Sequence, residues 1–481
     1  MYLGIDIGTS GVKAIIMDKN GGVVAQATAP LSVSRPKPLW SEQDPQDWWQ
    51  ATGLAVGRLP SSSRDQVAAI GLAGQMHGAT VLDAADTPLR PAILWNDGRS
   101  NDACKLLERQ VPGLHQITGN LAMPGFTAPK LVWMREHEPD VFSKVKKVLL
   151  PKDYVRLLMT GGYASDMSDS AGTLWLDVGK RQWSEKLLTA CELSLDHMPE
   201  LFEGSEITGT LRNSVADDWG LPKGVPVVGG GGDNAAGAVG IGVIKAGDAF
   251  LSLGTSGVLF SADTDYLPNA KSSVHTFCHA LPGLWHQMSV MLSAASCVDW
   301  AANLVGSNDA ETLIAQAETA NQFGRVNTMF LPYLSGERTP HNDPDAQGVL
   351  FGLTHDSDAA SIGQAVLEGV ALGFADGLNV LSSAGDIETI SVIGGGSRSP
   401  YWGRILAAAL NRPLLYRRNA DVGPALGAAR LAQMGANGQS KPEFSAPEIE
   451  YEIAPQANDT AYMAEQVGRF RQLYQSTQDL F

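Results

Sequence analysis

Cysteine, positive charge and long apolar runs are all scarce in this chain, and each shortage argues against a class of protein. Four cysteines occur (Cys104, Cys191, Cys278 and Cys297), and none belongs to a Cys-x-x-Cys pair. Isolated thiols are typical of a reduced cytosol rather than of a disulfide framework or a zinc site. The 35 Lys and Arg residues against 51 Asp and Glu leave a net charge of −16, which argues against nucleic acid or an anionic membrane as a partner. Neither a signal peptide nor an apolar run of the ~20 residues that span a membrane is present, so we expect a soluble, cytoplasmic protein.

Two common nucleotide-binding motifs are also missing. No Gly-x-x-x-x-Gly-Lys-Ser/Thr loop occurs, which excludes the P-loop class. The segment Gly394-Gly-Gly-Ser397 lies between a predicted strand and a predicted helix, but its spacing is not Gly-x-Gly-x-x-Gly. No acidic residue follows it at the position that a dinucleotide-binding βαβ unit requires. A dehydrogenase is therefore a weak alternative.

The chain contains instead a repeated pentapeptide, Gly-Thr-Ser-Gly-Val, at Gly8–Val12 and at Gly254–Val258. Each copy follows an apolar run that predicts a strand. A Gly/Ser/Thr hairpin after a strand offers backbone N–H groups and hydroxyls to anionic oxygens. Because 481 residues exceed what one core usually holds, two such hairpins predict two related lobes, 1–244 and 245–481, that grip one phosphate chain between them.

The two halves repeat one plan of predicted elements: strand, glycine hairpin, strand, and later a strand, a glycine cluster and a helix. Asp44 and Pro45 are expected to start a helix, and the polar segment 435–458 is expected to be a surface excursion. The prediction is an internally duplicated α/β protein with a central cleft. The predicted strands are 2–7, 12–17, 23–27, 67–73, 225–228, 249–253, 258–262 and 389–393, and the other predicted helices are 362–381, 401–410 and 459–474.

Charged residues flank the first hairpin. Asp6, at the end of a predicted strand and expected to be exposed there, could hold a divalent metal through its water shell, and Lys13 could reach a phosphate or a carboxylate. The alternative is a β-turn with a surface Asp and a structural Lys. The candidate ATP ligands are Gly8, Thr9, Ser10, Lys13, Gly254, Thr255, Ser256, Gly395, Gly396 and Ser397.

Four consecutive glycines, 229–232, precede Asp233 and Asn234. They remove every side chain around one carboxylate, so a substrate and a phosphoryl group could approach it. A carboxylate that deprotonates the attacking hydroxyl is the expected base in phosphoryl transfer. We therefore assign Asp233 and Asp6 as the catalytic carboxylates, both able to hold a metal through water. A helix-capping Asp or a dinucleotide loop is the competing interpretation.

Two polar clusters in the first half could recognise a polyhydroxylated substrate by hydrogen bonds. They are Gln75-Met76-His77 and Trp95-Asn96-Asp97-Gly98-Arg99, and each ends an apolar run. The alternatives are a structural histidine in the first cluster and a tight turn with an Asp–Arg pair in the second.

Together these motifs resemble the FGGY carbohydrate kinases, which have the actin-like and hexokinase-like ATPase fold of two ribonuclease H-like lobes around a cleft. The resemblance covers nearly the whole chain. Ser361 departs from the family pattern, which usually has an acidic, amide or His residue there, and we expect an effect on helix capping alone. The matching segments are 6–13 and 253–257 for the two phosphate loops, 393–402 for the adenosine motif, and 125–137 and 348–368 for the two family signatures.

The resemblance implies ATP-dependent phosphorylation of a sugar with Mg²⁺, by a cytoplasmic enzyme that forms a homodimer. The residue at Asp233 would be the general base, and those at Met76 and His77 would contact the sugar together with Gln75, Asp97 and Asn234. The 75–77 segment is similar to that of members acting on D-xylulose in xylose catabolism, whereas glycerol kinases carry Arg-Glu at positions 76 and 77. A sibling activity on ribulose, rhamnulose, gluconate or glycerol stays open. An actin-like filament or chaperone ATPase without a sugar substrate is more remote.

Overall fold

The computed structural model describes residues 1–321, 323–382, 385–418 and 422–481. Its strands are β1 (Tyr2–Ile7), β2 (Gly11–Met17), β3 (Val23–Pro30), β4 (Glu42–Gln43), β5 (Ala69–Gly74), β6 (Thr80–Leu82), β7 (Ala92–Ile93), β8 (Lys147–Leu149), β9 (Ala164–Asp166), β10 (Leu176–Asp177), β11 (Gln182–Trp183), β12 (Glu200–Phe202), β13 (Ile207–Thr210), β14 (Pro226–Val228), β15 (Gly231–Gly232), β16 (Ala249–Leu253), β17 (Gly257–Asp263), β18 (His275–Cys278), β19 (Trp285–Met291), β20 (Met329–Leu331), β21 (Val349–Phe351), β22 (Ile390–Ile393), β23 (Leu414–Arg417) and β24 (Ile449–Ile453). Its α-helices are α1 (Pro45–Gly57), α2 (Ser61–Arg64), α3 (Asn101–Gln110), α4 (Leu114–Thr118), α5 (Thr127–His137), α6 (Pro139–Phe142), α7 (Pro151–Thr160), α8 (Met167–Ala171), α9 (Glu185–Ala190), α10 (Asn213–Trp219), α11 (Asp233–Ile241), α12 (Ala295–Val305), α13 (Ala310–Thr319), α14 (Ala359–Leu378), α15 (Pro400–Leu410), α16 (Gly423–Ala436) and α17 (Ala457–Thr477).

Two mixed sheets organise the chain, and each contains one copy of the glycine hairpin. The first has the order β13-β14-β5-β1-β2-β3 with β15 beside β5, and the second has the order β18-β19-β17-β16-β22-β23-β24. In each sheet the hairpin joins two antiparallel strands, and a strand from later in the chain pairs in parallel with the first of them: β5 with β1, and β22 with β16. The shared plan confirms the predicted duplicated α/β fold.

The two halves of the chain are tied together by helix α16, which comes from the second half and packs on β1, β5 and α11 of the first. Glycines allow this close approach. A Cβ on Gly4 would lie 1.9 Å from the carbonyl oxygen of Ala425, and one on Gly71 would lie 2.0 Å from that of Ala428. The bare backbone of β1 and β5 therefore serves as the surface on which α16 lies.

Helix starts follow their capping residues. Asp44 caps α1 by accepting a hydrogen bond from Gln46 N (2.9 Å), with Pro45 in the first turn, as predicted. Helix α14 begins three residues before the predicted start because Asp358 and Ser361 form a capping box, each side chain bonding the other's backbone N–H at 2.8 Å. Ser361, the departure from the family pattern, is therefore a capping residue.

One predicted loop contains regular structure. Within 435–458, expected to be a surface excursion, β24 pairs antiparallel with β23 at the edge of the second sheet. The expectation of a surface location is confirmed by the exposure of Ile449 and Tyr451, and the strand was not among the predicted elements. The alternating Ile-Glu-Tyr-Glu-Ile of β24 is a strand pattern, and the Pro- and Gly-rich flanks obscured it.

All four cysteines are buried and unpaired. Within the part of the chain that the structure describes, no helix has both the length and the apolar character needed to cross a bilayer.

Candidate active site

A cavity of about 600 Å³ lies between the two halves of the chain. The parallel strands β1, β5 and β15 end side by side at its edge, so the residues that follow or end these strands meet there. The cavity wall includes Ser252 and Ser256 from the second half, together with five of the predicted site residues of the first half: Met76, His77, Asp97, Asp233 and Asn234. Gln75 is not part of the wall.

Asp233 is the first residue of α11 and is held by its neighbour. Its Oδ1 accepts hydrogen bonds from Asn234 N (2.7 Å) and Asn234 Nδ2 (3.0 Å), and no described residue donates to its Oδ2. Burial raises the pKa of Asp233 to about 6, and the two bonds from Asn234 oppose that rise. The carboxylate is thus oriented by one oxygen and presents the other to the cavity, as a general base requires.

The four-glycine loop before Asp233 owes its composition to close packing. Gly230 has a φ of +74°, and a Cβ there would lie 1.8 Å from the carbonyl oxygen of Leu72 in β5. A Cβ on Gly232 would lie 3.0 Å from Met76 Sδ. Glycine therefore lets the loop lie against β5, which brings Asp233 next to the residues that follow that strand.

Asp6 lies in β1 opposite Lys13 of β2 and beside Ala73 of β5. The expected exposure of Asp6 was wrong: it is half-buried, because strands cover it on both sides, and its buried Oδ1 has no hydrogen-bond partner among the described residues. Burial, and then the nearby Asp233 carboxylate, raise the pKa of Asp6 to about 7, while Lys13 lowers it. The two carboxylates are close enough to repel each other, so a cation between them would be stabilised.

His77 has a left-handed backbone (φ 69°), and its Nδ1 lies 2.6 Å from the carbonyl oxygen of Gly172. A carbonyl can only accept, so the ring proton is on Nδ1 and Nε2 is an acceptor. Burial, and then the charge of Lys130, lower the pKa of His77 to about 3. The ring packs edge-on against Phe126, 4.8 Å away. His77 is therefore a neutral hydrogen-bond acceptor on the cavity wall.

The backbone of His77 is held by residues whose role the sequence analysis missed. Lys130 Nζ donates to the carbonyl oxygens of His77 (2.8 Å) and Gly125 (2.7 Å), and Thr127 Oγ1 donates to His77 O (3.1 Å). Burial lowers the pKa of Lys130 well below its ordinary value. A lysine within the apolar run of α5 was the available signal.

Asp97 has no spare acceptor capacity. One oxygen accepts from Ser41 N (2.6 Å) and Arg99 Nη2 (2.7 Å), and the other from Arg99 N and Nε (both 2.9 Å). The geometry matches the alternative of a tight turn with an Asp–Arg pair. Contact between Asp97 and a sugar stays a prediction.

The structure places Gln75 behind the first hairpin, buried and 2.9 Å from the Thr9 hydroxyl. At the second hairpin, Thr255 O accepts from Ala294 N (2.9 Å) and Ser296 Oγ (2.8 Å), and the side chains of Thr255 and Ser256 are exposed. The two hairpins thus differ in the surroundings of their threonine side chains: Thr9 is hydrogen-bonded to Gln75, whereas Thr255 is exposed.

The glycine cluster that follows β22 lies beside the second hairpin. Gly394 has a φ of +95°, and a Cβ there would lie 2.7 Å from the carbonyl oxygen of Leu253, the last residue of β16. Apart from Gly395 and its two chain neighbours, no atom of the described residues lies within 4 Å of a Cβ built on Gly395, and Ser397 Oγ donates to Gly394 O (2.5 Å). The predicted adenosine and phosphate residues of the second half are therefore neighbours, with an open face at Gly395.

Arg338 is a second residue that the sequence analysis missed. It lines the cavity from the second half, and its Nη1 contacts Met123 Sδ (2.6 Å) and His275 Nε2 (3.4 Å). Its charge also lowers the pKa of His77. The wall around the first-half residues is thus completed by the other half of the chain.

The duplicated sheets, the twin hairpins and the cavity between the halves define a two-lobed enzyme of the actin-like ATPase fold. The N-terminal domain of the FGGY family of carbohydrate kinases matches residues 1–240, and the C-terminal domain of the family matches residues 249–436. The chain belongs to the FGGY family of carbohydrate kinases, and its phosphoryl donor is ATP.

Relatives match the chain over its full length. It is 57% identical over 479 residues to a protein of Escherichia coli (strain K12) described as "Xylulose kinase", with 99% of each chain covered. It is 55% identical over 484 residues to a Klebsiella pneumoniae protein of the same description, with 100% of both chains covered. A crystal structure of a "xyloylose kinase" from Brucella ovis has a TM-score of 0.95 at 48% identity, again over 100% of both chains. These matches confirm the predicted fold and family.

Proposed function

We propose that this kinase transfers the γ-phosphoryl group of ATP to the terminal 5-hydroxyl of D-xylulose and so forms D-xylulose 5-phosphate. The observation that carries the proposal is that Met76, His77 and Asp233 share one cavity wall with Ser256 of the second hairpin. A sugar hydroxyl and a bound phosphate can meet in such a cavity. The full-length relatives at 55% and 57% identity, described as xylulose kinases, support the choice of sugar.

In the proposed reaction Asp233 is the general base. Its Oδ2 takes the proton of the 5-hydroxyl while the oxygen forms a bond to the γ-phosphorus and the bond from that phosphorus to ADP breaks. A pKa of about 6 leaves Asp233 ionised at neutral pH yet basic enough to accept the proton. His77 Nε2 would accept a hydrogen bond from another sugar hydroxyl, and Met76 would pack against the carbon chain.

Asp6 and Asp233 fit a magnesium ion held through water. Within the described part of the chain the buried Oδ1 of Asp6 has no hydrogen-bond partner, and the two carboxylates repel each other. The described residues hold no group of three or more His, Cys, Asp or Glu that could bind a metal unaided, so most ligands of the ion would be phosphate oxygens and water. When bound, Mg²⁺ neutralises phosphate charge.

The nucleotide would lie across the boundary between lobes 1–244 and 245–481. The N–H groups of Gly8 and Gly254 close the hairpins by donating to Gly11 O and Ser256 O, so the N–H groups at 9–10 and 255–256 would bind the phosphates. Lys13 would stabilise charge on the transferred group, and Gly395, Gly396 and Ser397 would contact the adenosine. Closure of the lobes would exclude water, which otherwise competes with the sugar as acceptor.

Cellular location and assembly belong to the same proposal. Dependence on ATP and four unpaired, buried thiols support a cytoplasmic location. The resemblance to the family supports a homodimer, which a mass measurement by light scattering would test.

The test is ADP release from magnesium ATP with D-xylulose, L- and D-ribulose, L-rhamnulose, gluconate and glycerol. Strong stimulation by D-xylulose alone is the expected result. Selective stimulation by another sugar would support the proposed mechanism but refute D-xylulose as the substrate. ATP turnover that no sugar stimulates would favour an ATPase without a sugar substrate.

A further inference from the structure

The hydroxyl of Thr9 is part of a chain of hydrogen bonds that begins and ends at tryptophans. Trp95 Nε1 donates to Thr9 Oγ1 (2.9 Å), and Thr9 Oγ1 donates to Gln75 Oε1 (2.9 Å). Gln75 Nε2 and Trp48 Nε1 both donate to Gln43 Oε1, at 2.8 and 3.0 Å. The direction of every bond is determined, because an indole N–H can only donate.

Gln43 also holds the backbone of the first hairpin. Its Nε2 donates to the carbonyl oxygens of Thr9 (2.8 Å) and Ser32 (3.1 Å). The amide cannot turn over, since that would leave two carbonyls without a donor and the Trp48 N–H without an acceptor. Gln43 and Gln75 are almost fully buried, so water does not replace these bonds. The hydroxyl proton of Thr9 is therefore committed to Gln75 rather than to a phosphate.

Trp95 connects this network to the cavity. Its side chain lines the cavity wall with His77 and Asp233 and is 47% exposed, while its N–H is bonded to the hairpin. A ligand lying against the indole face restricts the ring, and the ring in turn restricts Thr9. The sugar side and the phosphate side of the cleft thus share one side chain.

We propose that Trp95, Gln75 and Gln43 are positioning residues that couple occupation of the sugar site to the geometry of the first phosphate hairpin. The inference rests on the proposed function in that the cavity takes the sugar and the hairpin takes the phosphates. A bound sugar orders Trp95 and Thr9, so nucleotide binds to a hairpin that is already ordered and binds more tightly. By linkage, nucleotide tightens sugar binding by the same factor.

The test measures the dissociation constant of a non-hydrolysable ATP analogue by calorimetry, with and without saturating D-xylulose. The coupling factor is the dissociation constant without sugar divided by the dissociation constant with sugar, and we expect it to exceed one in the unmodified enzyme. Trp95→Phe keeps an aromatic face and removes the N–H, so the coupling factor should fall about fivefold, the effect of one hydrogen bond. Trp183→Phe is the matched control, because it removes an indole N–H bonded to Pro199 O (2.9 Å) away from the cavity wall, and it should keep the coupling.

Gln75→Glu breaks the network at another bond. The carboxylate can still accept from Thr9, but it no longer donates to Gln43 and faces the Oε1 of that residue. We expect a raised KM for ATP, a smaller change in KM for the sugar, and a reduced coupling factor.

The outcomes separate this inference from the proposed function. An enzyme that phosphorylates D-xylulose with a coupling factor of one, or whose Trp95→Phe variant keeps the full factor, overturns the inference and leaves the function intact. Failure of every sugar to stimulate ATP turnover overturns the proposed function itself.

Discussion

The two copies of Gly-Thr-Ser-Gly-Val have the same sequence and different surroundings. In the first copy the Thr9 hydroxyl lies between Trp95 and Gln75. In the second, the Thr255 side chain is exposed, and its carbonyl is held by groups at the start of α12. The local sequence is sufficient for the hairpin itself, since both copies join two antiparallel strands. The surrounding structure decides whether the threonine hydroxyl is available to a ligand.

Charge also separates the two hairpins. Asp6 and Lys13 pair across the first, whereas Ser252 and Leu259 hold the corresponding positions of the repeat. Asp233 is close enough to Asp6 to raise its pKa. The hairpin itself was duplicated, but Asp6, Lys13 and Asp233 all belong to the first half of the chain. That asymmetry suits a reaction in which the hydroxyl attacks from one side only.

The largest expected effect is the loss of the general base in the first half of the chain. Asp233→Asn keeps the size of the side chain and removes its basicity, so kcat should fall by about 10²–10⁴. Steady-state ADP release measures the change, and an unaltered Tm is the control for folding. Wild-type turnover in this variant would refute the assignment of Asp233.

Making the first hairpin more like the second should have the next largest effect. Asp6→Ser introduces the residue found at the equivalent position 252. Loss of the carboxylate removes an electrostatic contribution to phosphate and metal handling, so we expect kcat to fall about 10²-fold. The reverse change, Ser252→Asp, should not restore activity to that variant, because Lys13 has no counterpart there. Restored activity would show that the two sides are interchangeable.

The pH dependence should follow the same two carboxylates. With pKa values of about 7 for Asp6 and about 6 for Asp233, kcat/KM should begin to fall below about pH 7 and fall more steeply below about pH 6. Both groups act as anions, so the activity is lost as pH falls through each folded-state pKa. In the Asp6→Ser variant the decline in kcat/KM that begins near pH 7 should disappear, and the decline below about pH 6 should remain. A profile that is flat down to pH 5 would contradict the role of both residues.

The smallest expected effect is on stability, and it is measured by replacing the threonine of each hairpin in turn. Thr9→Val removes a donor and an acceptor from a part-buried network and should lower the free energy of unfolding by about 1–3 kcal/mol. Thr255→Val changes an exposed side chain and should alter stability by less than about 0.5 kcal/mol. Urea denaturation of both variants measures the difference. Equal losses would mean that the network around Thr9 does not stabilise the fold.

Local patterns predicted much of the fold. The strands on either side of each hairpin, the cap at Asp44 and the glycine loop before Asp233 were all predicted, because each depends on neighbours in the chain. The strand β24 was missed because its alternation lies within a Pro- and Gly-rich stretch. Gln75 was assigned to the sugar from its place beside Met76 and His77. These residues follow the end of β5, and the chain there is not a strand, with a left-handed backbone at His77 (φ 69°). Gln75 consequently lies behind the hairpin, whereas Met76 and His77 line the cavity.

The sequence by itself determined the duplicated plan, the two glycine hairpins and the single carboxylate after four glycines, since these depend on backbone freedom and residue type within a few positions. Only the tertiary structure decided which groups share the cavity and which of the two threonine hydroxyls is held in a hydrogen bond to another side chain. Trp95 meets Thr9, Lys130 meets His77, and Arg338 reaches the cavity from the other half of the chain. These contacts join residues far apart in the chain, and hydrogen bonds and burial depend on distance in space.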